Sequence, residues 1–118
     1  MNQVTKDHRH AMELADEGDI AKRNGETERA KILYGEALEY ERRAAEAVSM
    51  KLDLEPTRSV LHRSAASLAL ECGELREAER LIAVALSGNP PEEIAEELRD
   101  LLQLVYQSFR KTPVGVTQ

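Results

Sequence analysis

Residues that could bind a metal ion are few and scattered in this sequence. Asp7, His8 and His10 lie close together near the N-terminus, where two imidazoles beside a carboxylate offer part of a metal site. A zinc site needs about three or four converging ligands, and the single cysteine, Cys72, is far along the chain. We therefore expect solvated histidines and no metal or other cofactor. Cys72 precedes Gly73 without a histidine nearby, which indicates a structural thiol.

Arg58 and His62 are the candidate pair for catalysis. A histidine can act as a general base and an arginine can bind a phosphate. The segment RSVLH, residues 58–62, resembles the arginine–histidine motif of small helical ribonuclease toxins, although its spacing is shorter. That resemblance implies a ribonuclease or toxin-like component as the alternative function. The apolar run around His62 instead favours a partly buried, hydrogen-bonded histidine, so we expect a protein that is not an enzyme.

The composition argues against nucleic acid and membranes as partners. The chain has 16 Lys and Arg against 22 Asp and Glu, a net charge of −6, whereas nucleic-acid binding needs a basic face. The sequence has no apolar run of about 18 residues that could span a membrane. The first ten residues lack the apolar stretch of a secretory signal, and one cysteine suits a reducing compartment. We expect a cytoplasmic protein.

Proline, glycine and helical spacing of the apolar residues predict an all-α fold of five helices. The predicted helices lie at about residues 6–23, 26–52, 59–71, 75–87 and 91–111, with no strand. Asn24-Gly25, Glu55-Pro56, Cys72-Gly73 and the stretch 87–91 separate them. Residues 1–5 are expected to be frayed and residues 112–118 disordered, which leaves a single domain over residues 6–111.

An internal repeat relates the second and fourth helices. Residues 25–39 align with residues 73–87, and the identities include the turn glycine and two alanines of each unit. This pattern resembles the second half of a tetratricopeptide repeat. The residues that carry the resemblance are Gly25, Ala30, Tyr34 and Ala37 in one unit and Gly73, Ala78, Ile82, Ala85 and Pro90 in the other. Gly18 and Ala66 match the small residue of the leading helices, and Leu14 matches the large one, where the second unit has His62 instead.

The resemblance covers about residues 11–91 and implies antiparallel helical hairpins in a right-handed superhelical or bundle arrangement, closed by the fifth helix. The spacing departs from the family, because the turn glycines are 73 − 25 = 48 residues apart and the family repeat is about 34. Arg42 stands where the first unit should have its proline. We interpret the extra residues as an extension of the second helix.

A tetratricopeptide array binds an extended peptide or a helix of another protein in the groove of its leading helices. The matching groove positions are Met12, Asp16, Asp19, Lys22, Arg23, Arg63, Ser67 and Leu70. These residues are equally well explained as the solvated face of amphipathic helices. The extended helix predicts a homodimer, with candidate contacts at Tyr40, Ala44, Val48, Leu52, Tyr106 and Phe109. A structural bundle within a larger assembly is a third possibility.

Overall fold

The computed structural model describes residues 2–111 and shows five α-helices and no strand in that range. The helices are α1 (Gln3–Arg23), α2 (Thr27–Val48), α3 (Thr57–Glu71), α4 (Leu75–Leu86) and α5 (Glu92–Lys111). Each helix packs on the next one, and α3 also contacts α5. The predicted all-α arrangement is confirmed. Within residues 2–111 no helix is both long enough and apolar enough to cross a membrane. Met1 and the predicted disordered tail lie outside the described residues.

The two turn glycines end α1 and α3 with the same geometry. Gly25 and Gly73 have positive φ angles of 79° and 74°. The next residue of each turn bonds back to the helix, Glu26 N to the Ala21 carbonyl at 2.8 Å and Glu74 N to the Ala69 carbonyl at 2.9 Å. This is the Schellman motif. A residue in the left-handed conformation turns the chain, so that the N–H groups that follow the helix donate hydrogen bonds to its last carbonyls. The aligned glycines of the sequence therefore make equivalent turns.

The N-terminal helix begins earlier than predicted. Asn2 caps it, since its side-chain oxygen accepts a hydrogen bond from Thr5 N at 2.9 Å. Residues 3–5 thus form the first turn of α1, where the sequence predicted a frayed start. The early start also places His8 well inside α1 and opposite α2.

The second helix ends at Val48 and not near Leu52, so the predicted extension is too long by about one helical turn. The carbonyls at its end are bonded by other groups. Lys51 N donates to the Val48 carbonyl at 3.0 Å, and Arg58 Nε donates to the Ser49 carbonyl at 2.8 Å. The chain then turns back toward α3. At 22 residues α2 is still far longer than the 12-residue α4.

The core lies between the facing sides of the helices and is rich in alanine. Small residues let α1 and α2 approach closely: a Cβ at Gly18 would stand 2.8 Å from Tyr34 Cε1. Tyr34 is buried, as predicted, and its hydroxyl donates to Asp19 Oδ1 at 2.6 Å. The largest fully buried side chains are Leu81, Ile82, Leu98, His62, Glu41, Val105 and Ser59.

Candidate functional site

Arg58 is a buried cation that joins the ends of two helices. Its side chain is 2% exposed. Nε donates to the Ser49 carbonyl at 2.8 Å, and Nη2 donates to the Val84 carbonyl at 2.8 Å. Nη1 lies 3.4 Å from both the Ala85 carbonyl and a Glu55 oxygen. The guanidinium therefore satisfies carbonyls at the C-terminal ends of α2 and α4, which are the negative ends of those helices.

Glu55 completes this arrangement at the start of α3. Its Oε1 accepts from Ser59 N at 3.1 Å and from Ser59 Oγ at 2.7 Å, while Oε2 faces Arg58. The glutamate side chain thus caps α3, since the N-cap residue Pro56 makes no side-chain cap of its own. The absence of a side chain at Gly88 leaves room for the Arg58 guanidinium, because a Cβ at that position would clash with Nη1. Sequence reasoning missed the cap because it depends on contacts between α2, α3 and α4.

His62 is 1% exposed and hydrogen-bonded, as the sequence predicted. Its Nδ1 lies 2.8 Å from the Arg58 carbonyl. A carbonyl only accepts, so Nδ1 carries the proton. Burial lowers the pKa of His62, and the nearby Arg58 charge lowers it further, although the bond to the carbonyl opposes them. The ring is therefore a neutral imidazole with its lone pair on Nε2. Among residues 2–111, no hydrogen-bond partner of Nε2 is found.

A pocket of about 420 Å³ opens where the ends of α2 and α4 meet the start of α3. The structure brings the sequence-predicted pair, Arg58 and His62, together in this pocket. Almost all donors of Arg58 already bond backbone carbonyls or Glu55, so the arginine is held as a structural cation and not as a free phosphate ligand. The residues that line the pocket are Glu46, Ser49, Met50, Leu52, Arg58, His62, Arg80, Leu81, Val84, Ser87 and Gly88.

The predicted groove residues of α1 lie on or near the surface and contact two neighbouring helices. Met12 is half-buried, with its Sδ 4.0 Å from Ser64 Oγ of α3. Lys22 Nζ pairs with Glu71 of α3 at 3.3 Å. Asp19 faces α2, where it accepts from Tyr34. Burial and this bond raise the pKa of Tyr34 to about 12. The remaining two, Asp16 and Arg23, are exposed.

The predicted groove residues of α3 lie beside α5. Arg63 forms an ion pair with Glu97 of α5. Arg63 and Ser67 line a surface hollow of about 480 Å³ together with Ser64, Glu97 and Leu101. Leu70 is half-buried against the core. The structure therefore brings Arg63 and Ser67 into one depression and extends it with residues of α5 that the sequence-based set lacked.

Glu41 is a functional candidate that sequence reasoning missed. Its side chain is fully buried, and His8 Nδ1 donates to both of its oxygens. Ser64 also hydrogen-bonds to it. Burial raises the pKa of Glu41, and the bonds from Ser64 and His8 oppose that rise. A signal was present: Glu41 falls at the helical spacing of the buried residues of α2, in a position where an apolar side chain is expected.

The two histidines near the N-terminus have different surroundings. The expectation of solvated histidines is wrong for His8, which bonds Glu41. His10 instead packs edge-on against Tyr40, with ring centroids 4.3 Å apart. Within the described range, no three His, Cys, Asp or Glu residues are grouped to bind a metal.

The predicted self-association residues fall into two groups. Ala44 and Val48 are buried in the core of the monomer and cannot contact a second copy, so their assignment is corrected. Tyr40 and Phe109 are half-buried, and Phe109 lies under Arg76 at 5.4 Å. Leu52 and Tyr106 are exposed, at 52% and 40%. Only these last two offer substantial free apolar surface.

Cys72 is a half-buried thiol. Burial raises its pKa, and the charges of Glu74 and Glu71 raise it further. A raised pKa disfavours the reactive thiolate, which agrees with a structural role.

Comparison with known proteins leaves the resemblance to tetratricopeptide repeats as a prediction from the residues of the two hairpins. No protein-family model, curated protein or solved structure matches this chain.

Proposed function

We propose that the protein is a non-catalytic interaction module that binds a peptide or helix of a partner protein along the surface of α1, α3 and α5. The observation that carries the proposal is the hollow of about 480 Å³ between α3 and α5. Its charged members, Arg63 and Glu97, stand beside the apolar Leu101. A partner segment with one apolar side chain and flanking charges complements such a surface.

The contacts of α1 support the same surface. Met12 adds an apolar side chain next to Ser64, and Asp16 adds an exposed charge. The acidic net charge of −6 supports a partner that is not nucleic acid. The single cysteine supports a cytoplasmic location. The nuclease alternative gains no support, since Arg58 is engaged by backbone carbonyls.

Selection from a random peptide library, followed by affinity measurement on variants, tests the proposal. Ser67 is exposed at the hollow, so Ser67→Trp fills the hollow without disturbing the core. We expect selected peptides to bind the unaltered protein. Their affinity for the Ser67→Trp variant should be at least about ten-fold lower, which corresponds to about 1.4 kcal/mol of binding free energy. Glu36→Trp is the control, because Glu36 is exposed on α2 away from the hollow. Equal binding by Ser67→Trp, or no selected peptide, contradicts the proposal.

Self-association is a separate proposal that rests on exposed apolar residues. Leu104 and Tyr106 lie on α5 with 50% and 40% of their surface exposed. Sedimentation velocity over a range of concentrations tests it. We expect the mass to rise toward a dimer and Tyr106→Ser to reverse that rise. A monomer mass at all concentrations contradicts it.

A further inference from the structure

The pocket beside His62 has several apolar lining residues and includes one fully buried imidazole. Met50, Leu52, Leu81 and Val84 supply apolar surface. Met50 is 89% exposed and Leu52 52% exposed, both in the short loop between α2 and α3. Apolar side chains around a hollow are a common feature of binding sites. The pocket shares no lining residue with the hollow between α3 and α5. It is therefore a second, separate site.

The Nε2 atom of His62 is a hydrogen-bond acceptor in the pocket. The ring is 1% exposed and lines the pocket, and its Nδ1 proton is already donated to the Arg58 carbonyl. In the part of the chain that is described, Nε2 has no hydrogen-bond partner. A buried acceptor left unpaired costs free energy that a ligand with an N–H or O–H group recovers. The ligand must therefore bring a donor to the base of the pocket.

The charged side chains around the pocket are paired with one another, which favours a neutral ligand. Arg80 pairs with Glu77 at 2.7 Å and with Glu46 at 3.6 Å. Arg58 is neutralised by Glu55 and by the carbonyl ends of α2 and α4. Each of these charged side chains has an ion-pair partner, so none is left free to select an ion. An uncharged ring with a donor fits these conditions better than a carboxylate or an ammonium group.

We propose that this pocket binds the side chain of a tryptophan presented by a partner protein, with the indole N–H donating to His62 Nε2. An indole has a donor and no acceptor, which matches the unpaired nitrogen of the His62 imidazole. The volume of about 420 Å³ holds an indole and its adjoining backbone. Met50 supplies a sulfur contact to the ring, and Arg80 at the rim offers a cation–π contact.

We assign the tryptophan to a partner protein. This chain contains none, and of its aromatic residues Tyr34 is buried and Tyr40 is packed on His10. Tyr106, at 40% exposure, is the exposed ring that a second copy could insert. Buried tryptophans at the centre of an interface commonly dominate its affinity, so one such residue suffices to anchor a partner.

Binding of N-acetyl-L-tryptophanamide to the full chain tests the proposal. Because the chain has no tryptophan, indole fluorescence reports only the probe. We expect a dissociation constant of about 0.1–1 mM, in the range for a ligand of this size. In ¹H–¹⁵N spectra the amide signals of Met50, Leu52 and Gly88 should shift, and those of Ser67 and Leu101 should not.

The analogue with a methyl group on the indole nitrogen isolates the hydrogen bond. It keeps the ring but lacks the donor, so we expect about ten-fold weaker binding, the effect of leaving a buried acceptor unpaired. N-acetyl-L-phenylalaninamide should bind at least as weakly. Equal binding of the methylated and unmethylated probes overturns the proposal.

Two surface variants test the location without depending on a change in the core. Leu52→Ser removes an exposed apolar side chain from the wall of the pocket. It should lower the affinity for the tryptophan probe at least about three-fold. Ile32→Ser is the matched control, since Ile32 is a 63% exposed aliphatic residue of α2 outside the pocket. An equal loss of probe affinity in Leu52→Ser and Ile32→Ser overturns the proposal. Shifts of the Met50 and Gly88 signals with protein concentration alone also overturn it, because they show a second copy in the pocket.

Discussion

His8 Nδ1 donates to both oxygens of the Glu41 carboxylate, at 2.8 and 3.0 Å, and so joins the first half of α1 to the middle of α2. The glutamate is fully buried, whereas 37% of the histidine side chain is exposed. A carboxylate in this position is stable only when polar partners replace water. His8 and Ser64 are those partners, one from each neighbouring helix. The contact therefore links α1, α2 and α3 through one ionisable group.

Removing His8 should destabilise the protein in a pH-dependent way. In His8→Ala the Glu41 carboxylate loses its main partner, and we expect a loss of about 1–3 kcal/mol in the free energy of unfolding at pH 7. The loss should be smaller at pH 5, because burial raises the pKa of Glu41 and a protonated carboxyl costs less to leave without a partner than a carboxylate. Urea unfolding at both pH values measures it. His10→Ala is the control, since that exposed histidine contacts the Tyr40 ring. Its removal should lower the free energy of unfolding by less than about 1 kcal/mol. An equal loss at both pH values contradicts the assignment.

Replacing the acid itself should remove a pH dependence. The pKa of Glu41 is raised by burial, so the folded state holds this proton more tightly than the unfolded state. Its contribution to stability is therefore complete below the unfolded pKa, near 4.5, and is lost as the pH rises through the folded pKa. Glu41→Gln keeps the shape and a hydrogen-bonding group without the charge. We expect stability at pH 7 equal to or above that of the unaltered protein, and a flatter pH profile. A steeper profile would contradict this.

Replacing the buried Arg58 should lower the free energy of unfolding by a large amount. Arg58→Met leaves the Glu55 carboxylate and the carbonyls of Ser49 and Val84 without their donor, and we expect a loss of about 3–5 kcal/mol. Arg58→Lys keeps the charge but cannot reach all three groups, so it should lose nearly as much. Thermal unfolding followed by circular dichroism measures both. Arg76→Met is the control: it removes an exposed arginine above Phe109 and should cost less than about 1 kcal/mol.

Local signals explain which parts of the fold were predictable from sequence. Gly25 and Gly73 mark turns because a positive φ favours glycine, and both turns are where the sequence placed them. The apolar spacing of α4 and α5 likewise gave their extents to within a residue or two. The end of α2 was not predictable in this way, since it depends on Arg58 reaching back to the Ser49 carbonyl.

The candidate sites were less predictable because they depend on contacts between helices. The sequence named Arg58 and His62 only for the alternative, catalytic function, and the structure shows that the arginine holds helix ends together. Glu41 was overlooked among the alanines and leucines of α2, although a charged residue within an apolar stripe is itself a signal. The pocket beside His62 needs the loop after α2 to fold back, which no local pattern encodes.

The same glycine-to-alanine change should have opposite effects at two helical positions. At Gly18 an added Cβ would stand 2.8 Å from the Tyr34 ring, whereas at Gly35 it meets nothing within 4 Å. Alanine favours a helix over glycine by about 1 kcal/mol, so Gly35→Ala should stabilise by about that amount. At Gly18 the forced separation of α1 and α2 outweighs this gain, with a net loss of about 1–2 kcal/mol. Urea unfolding measures both variants. Stabilisation by Gly18→Ala would show that α1 and α2 are less closely packed than their contact at Tyr34 indicates.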